Sequence, residues 1–74
     1  MTTEKEFLAF VAGILDVPVD RISLETIYES IPEWDSVMQL RQTLEIGTEF
    51  NVEIPGDEIA DIKTLGGFYS YLNR

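Results

Sequence analysis

Apolar residues recur at helical spacing in separate stretches of this chain, and residues that a helix cannot easily continue through divide them, so short helices joined by turns are expected. The first stripe is Phe7, Val11, Ile14 and Leu15, with Leu8 alongside. Thr3 and Glu6 ahead of it have the spacing of a capping box, which predicts a helix from Glu4 to Leu15. Gly13 weakens its last turn by up to ~1 kcal/mol relative to alanine, and Pro18 cannot extend it. Residues 16–34 then form a connection too long to lie unstructured in a small domain. Ile22, Leu24, Ile27, Tyr28 and Ile31 are its expected pins, with Ser23 capping a short helical turn from Leu24 to Tyr28. Trp34 is expected to cover this loop and to be partly buried.

A second helix is predicted from Ser36 to Phe50, with Leu40, Ile46 and Phe50 facing inward and the small residues Thr43 and Gly47 admitting a neighbouring helix. Val37 and Leu44, seven residues apart, lie on an adjoining flank. Asn51 to Ile54 reads as an extended turn, and Pro55 opens a short acidic helix containing Ile59 and Ile62. Thr64 caps the last helix, where Leu65, Phe68, Tyr69 and Leu72 repeat at helical spacing and Gly66 and Gly67 favour fraying. The fold class is all-α.

The 74 residues allow one small domain, 1–74, with no internal repeat or linker. Without cysteine there is neither a disulfide framework nor a thiol nucleophile, and without histidine the commonest general base and metal ligand is missing. The acids Asp16, Asp20 and Glu25 do not make a calcium loop, because Pro18, Arg21 and Ile22 stand where ligands and a glycine are needed. Asp57 and Asp61 are spaced as a solvated helix face. No catalytic residue and no metal site is expected, and the chain does not read as an enzyme. A net charge of −9 opposes nucleic acid and anionic membranes and favours basic partners. No segment is long and apolar enough to span a membrane, and Met1-Thr2-Thr3-Glu4 lacks the basic start of a secretory signal, so a cytoplasmic monomer is expected.

The functional signal lies in Trp34-Asp35-Ser36-Val37-Met38-Gln39-Leu40, where an Asp-Ser pair ends the loop and opens the second helix. Both are N-cap residue types, and capping alone would account for them. A helix start also offers free N–H groups and positive potential, which suit a phosphoryl group held on a serine oxygen.

Three segments in register resemble the acyl carrier protein family, the phosphopantetheine-binding carrier domains. They are Asp35-Ser36-Val37, Glu49-Phe50-Asn51-Val52-Glu53-Ile54-Pro55 and Ile62-Lys63-Thr64-Leu65-Gly66, and with their separations they cover essentially the whole chain. The resemblance implies a small four-helix bundle, with three longer helices, one short third helix that shifts to admit an acyl chain, and a long first loop. It implies 4′-phosphopantetheine carried covalently on Ser36, with Asp35 in a supporting role, and acyl or aminoacyl groups held as thioesters on that arm. The implied partners are a phosphopantetheinyl transferase, an acyl- or aminoacyl-loading ligase or transferase, and a downstream synthase or acyltransferase. Val37, Met38, Arg41, Leu44, Glu45 and Glu49 would form the partner-binding face, although Val37 and Leu44 could equally widen the core stripe. Arg41, Gly47 and Thr48 replace acids usual in the family, which points to a specialised pathway. The competing reading is an unmodified acidic interaction module of the same fold.

Overall fold

The computed structural model describes residues 2–72. Helix α1 spans Glu4–Leu15, α2 Ser36–Phe50 and α3 Leu65–Tyr69; 3₁₀ segments occupy Val19–Arg21 and Gly56–Asp61. The all-α arrangement read from the sequence is what forms, and both long helices begin and end where expected. Their starts are fixed by side chains. Thr3 Oγ1 accepts from the Glu6 N–H at 3.1 Å, and Asp35 Oδ1 accepts from the Met38 N–H at 2.9 Å. Their ends turn through left-handed residues, Asp16 (φ 59°) and Asn51 (φ 54°), both polar types that tolerate this conformation. At the end of α2 a Cβ on Gly47 would stand 3.0 Å from the Val52 carbonyl oxygen, so this glycine lets the chain fold back on its own helix rather than admitting a neighbour.

The core is continuous across the helices. Phe7, Val11, Ile14 and Leu15 of α1 are buried with Ile46 of α2, Leu65 and Phe68 of α3, and Ile22, Trp34 and Ile62 from the connections. Two aromatic clusters run through it. Phe50 lies 5.3 Å from Phe10 and 6.2 Å from Phe7, which in turn meets Tyr69 at 5.3 Å. Trp34 contacts Tyr28 at 5.8 Å and Phe68 at 6.4 Å between ring centroids.

Several further expectations are corrected. No helical turn forms from Leu24 to Tyr28. Ser23 and Thr26 instead close a tight turn, with the Ser23 N–H donating to Thr26 Oγ1 at 2.8 Å. The backbone beyond it pairs with the approach to α3, through Tyr28 N–H to Lys63 O at 2.7 Å, Leu65 N–H to Thr26 O at 3.2 Å and Gly66 N–H to Leu24 O at 2.8 Å. These bonds pin the loop, and Ile27, expected to pin it by burial, is exposed. Trp34 is wholly buried, not partly.

The rotation of α2 also differs from the expectation. Leu40, expected inside, is 54% exposed, while Gln39, Gln42, Thr43 and Ile46 face inward. Finally, α3 is shorter than its apolar repeat. Its glycines serve close packing rather than fraying: a Cβ at Gly66 would lie 3.0 Å from the Leu24 carbonyl, and one at Gly67 3.1 Å from Ile62.

This rotation is testable by truncation. Ile46→Ala should destabilise the protein by about 2–5 kcal/mol, whereas Leu40→Ala should stay within about 0.5 kcal/mol, both read from urea unfolding followed by circular dichroism.

Candidate functional site

Ser36 is the first residue of α2, and the division of labour with its neighbour is clear in the hydrogen bonds. Asp35 caps the helix. The Ser36 hydroxyl makes no hydrogen bond to the protein among the described residues, and the side chain is exposed. The serine is thus not needed as the cap, and its oxygen faces solvent at the positive end of a helix of 15 residues.

Beside Ser36 a cleft of about 390 Å³ opens between α2 and the 3₁₀ helix, lined by Tyr28, Ser36, Gln39, Gly56, Ile59, Ala60 and Lys63. Small residues, Gly56 and Ala60, keep one wall low. Among the described residues Lys63 is the only charged one in the lining, with Nζ 5.5 Å from the centre of the Tyr28 ring. The cleft's inner wall is held by Gln39. Its Oε1 accepts from Trp34 Nε1–H at 2.7 Å, and its Nε2 donates to the carbonyls of Ile59 at 2.9 Å and Ile62 at 3.0 Å. One buried amide therefore ties α2 to the loop tryptophan and to the 3₁₀ helix. A further bond, Thr43 Oγ1–H to the Gln39 carbonyl at 2.9 Å, satisfies the hydroxyl one turn on.

Gln42 differs from Gln39. It is wholly buried, and neither its Oε1 nor its Nε2 finds a hydrogen-bond partner among the described residues. An orphaned buried polar group costs about 1–3 kcal/mol.

The residues expected to contact partners do not share one environment. Val37 and Leu44 are 77% and 63% exposed, so they do not widen the core stripe; with Leu40 they form an apolar strip on the outer face of α2. Met38 is half-buried against the core. Arg41 and Glu45 pair with each other at 2.5 Å on that surface. Glu45 and Glu49 border a shallow depression with Phe10, Leu44 and Thr48 that shares no lining residue with the Ser36 cleft. Tyr28, Gln39 and Lys63 were not anticipated at the site. Gln39 and Lys63 fall within the segments already singled out, but nothing in those segments gives them a place at the site, because the loop, α2 and the approach to α3 converge only in the folded chain.

A model of the family described as "Phosphopantetheine attachment site" matches residues 5–72. The chain belongs to this family. It is similar to the acyl carrier protein of Thermobifida fusca, 29% identical over 76 residues that cover 97% of this chain and 96% of the relative. It is also similar to the acyl carrier protein of Porphyromonas gingivalis, 27% identical over 71 residues covering 96% of this chain and 91% of the relative. As a phosphopantetheine-binding carrier it is not a catalyst; its cofactor is covalent 4′-phosphopantetheine, and its work is done with enzymes that modify it and enzymes that use what it carries. The site fits such an arm: a free, exposed hydroxyl at a helix start, a cleft beside it, and one cation in the cleft wall. Among the described residues no helix is long and apolar enough to cross a membrane.

Because the carrier's cleft wall rests on Gln39, Gln39→Ala should cost on the order of 3 kcal/mol, by stranding the buried Trp34 N–H, the buried Ile62 carbonyl and the partly buried Ile59 carbonyl. A lowered urea midpoint and a red-shifted Trp34 emission would register it.

Proposed function

We propose that Ser36 is the attachment residue, and that this protein holds acyl or aminoacyl groups on its arm and presents them to partner enzymes of a specialised pathway. The observation that carries this reading is the free Ser36 hydroxyl at the start of α2, next to a cap supplied by Asp35. When bound, the arm supplies a flexible chain ending in a thiol, which holds the cargo as a thioester. In attachment by a phosphopantetheinyl transferase, Ser36 Oγ loses its proton and bonds to the phosphorus of coenzyme A nearest the pantetheine, and the bond to adenosine 3′,5′-bisphosphate breaks. Asp35 keeps the helix start in place and lends a carboxylate to the transferase's metal or donor. Lys63, in the same cleft, balances the phosphodiester's charge.

Partner enzymes would meet the outer face of α2. Val37, Leu40 and Leu44 offer apolar contact, Arg41, Glu45 and Glu49 supply a mixed-charge border, and Met38 supports the strip from below. This face favours a transferase, a loading ligase or transferase, and a synthase or acyltransferase whose own surfaces are basic at the rim and apolar at the centre.

Incubation with coenzyme A, magnesium and a broad-specificity phosphopantetheinyl transferase should add one phosphopantetheine to the intact mass, and none to Ser36→Ala. That variant should keep its helical circular dichroism, since Asp35 retains the cap. Parent protein left unmodified by transferases of several specificities would favour the interaction module instead. Val37→Glu should raise the transferase KM by about tenfold, the loss of one well-packed apolar contact, with little change in kcat.

A further inference from the structure

The inward face of α2 carries two glutamines in succession, and only one of them is used. Gln39 lines the Ser36 cleft with its amide fully engaged. Gln42 lies three residues further along that face, about 9 Å along the helix axis from Ser36 at 1.5 Å per residue, with donor and acceptor both unpartnered and no solvent exposure. An apolar side chain of similar size would fill the same space without an orphaned amide. The amide is complementary to a group that both donates and accepts, such as a hydroxyl or another amide.

Gln39 and Gln42 share the buried face of α2, and through Gln39 that face is bonded to the 3₁₀ helix Gly56–Asp61. On the α2 side, the side-chain hydrogen bonds that hold this segment are the two from Gln39 Nε2 to the carbonyls of Ile59 and Ile62. Its cleft-facing residues, Gly56, Ile59 and Ala60, are small or apolar. Release of that one amide would free the 3₁₀ helix from the α2 face that also carries Gln42.

We propose that Gln42 is the buried hydrogen-bond partner for a hydroxyl- or amide-bearing group delivered by the arm, so that the bundle shelters polar acyl groups in preference to plain alkyl chains. This rests on Ser36 as the attachment residue. Two sources share the chemistry, the amides of the arm itself and a polar function on the cargo.

The test loads the full chain through a broad-specificity transferase with coenzyme A, butyryl-coenzyme A or 3-hydroxybutyryl-coenzyme A, and follows the Gln42 side-chain amide by ¹⁵N–¹H NMR, assigned by its loss in Gln42→Leu. The expected result is a shifted signal with about tenfold slower proton exchange in the 3-hydroxybutyryl form alone, a factor matching one net hydrogen bond. The 3-hydroxybutyryl form should also melt above the butyryl form in the parent, and the gap should vanish in Gln42→Leu, which should itself be at least as stable as the parent before modification. The same shift with the bare arm would make the arm's own amide the partner of Gln42 and would overturn the preference for polar acyl groups. An unchanged Gln42 signal in every form, as a trapped water would give, or equal shifts for butyryl and 3-hydroxybutyryl but none for the bare arm, would overturn it. A chain that gains no mass fails earlier, at Ser36, and overturns the attachment reading along with this one.

Discussion

The side chain of Gln39 makes three hydrogen bonds that join parts of the chain distant in sequence: the indole of Trp34 and the carbonyls of Ile59 and Ile62. In a domain this small, where little surface can be buried, a satisfied polar junction fixes relative positions that apolar packing alone would leave loose. Trp34 stands immediately before the cap of α2, so anchoring its ring anchors the helix start. Ile59 and Ile62 flank the end of the 3₁₀ helix, so holding their carbonyls sets the far wall of the cleft. The position of Ser36 relative to that cleft follows from the same junction.

The two faces of α2 depart from the usual distribution. Glutamines and a threonine point inward, while Val37, Leu40 and Leu44 point to solvent. An outward apolar strip does little for the isolated domain, since its burial occurs only against another surface. It suits a carrier that must meet several enzymes in turn. The internal Arg41–Glu45 pair keeps the charge of that face partly neutral, in a chain whose overall balance is −9. Association through it would depend on packing more than on long-range attraction.

Helix starts were legible in the sequence because they are local. Thr3, Asp35 and Thr64 cap helices within three residues of their own positions, and each does so through its side chain. The orientation of α2 was not legible. Leu40 matches an inward stripe and Gln39 an outward one, and only the waiting indole and carbonyls, from other segments, reverse their roles. The stretch from Leu24 to Tyr28 failed for a related reason. Its backbone partners lie between Lys63 and Gly66, and such pairing leaves no periodic trace in either segment. At the site, Asp35 and Ser36 could be named from their motif; Gln39 follows Ser36 on the same helix, whereas Tyr28 and Lys63 reach the cleft by tertiary structure alone.

The central claim is that one particular oxygen receives the arm. Ser23, Ser30 and Ser36 all fall in the peptide that trypsin releases between Arg21 and Arg41, so fragmentation of that peptide from transferase-treated protein locates the modification directly. The account predicts the added phosphopantetheine on Ser36, with fragments containing Ser23 and Ser30 but not Ser36 unchanged in mass. Attachment at Ser23, Ser30 or Ser70 would contradict it.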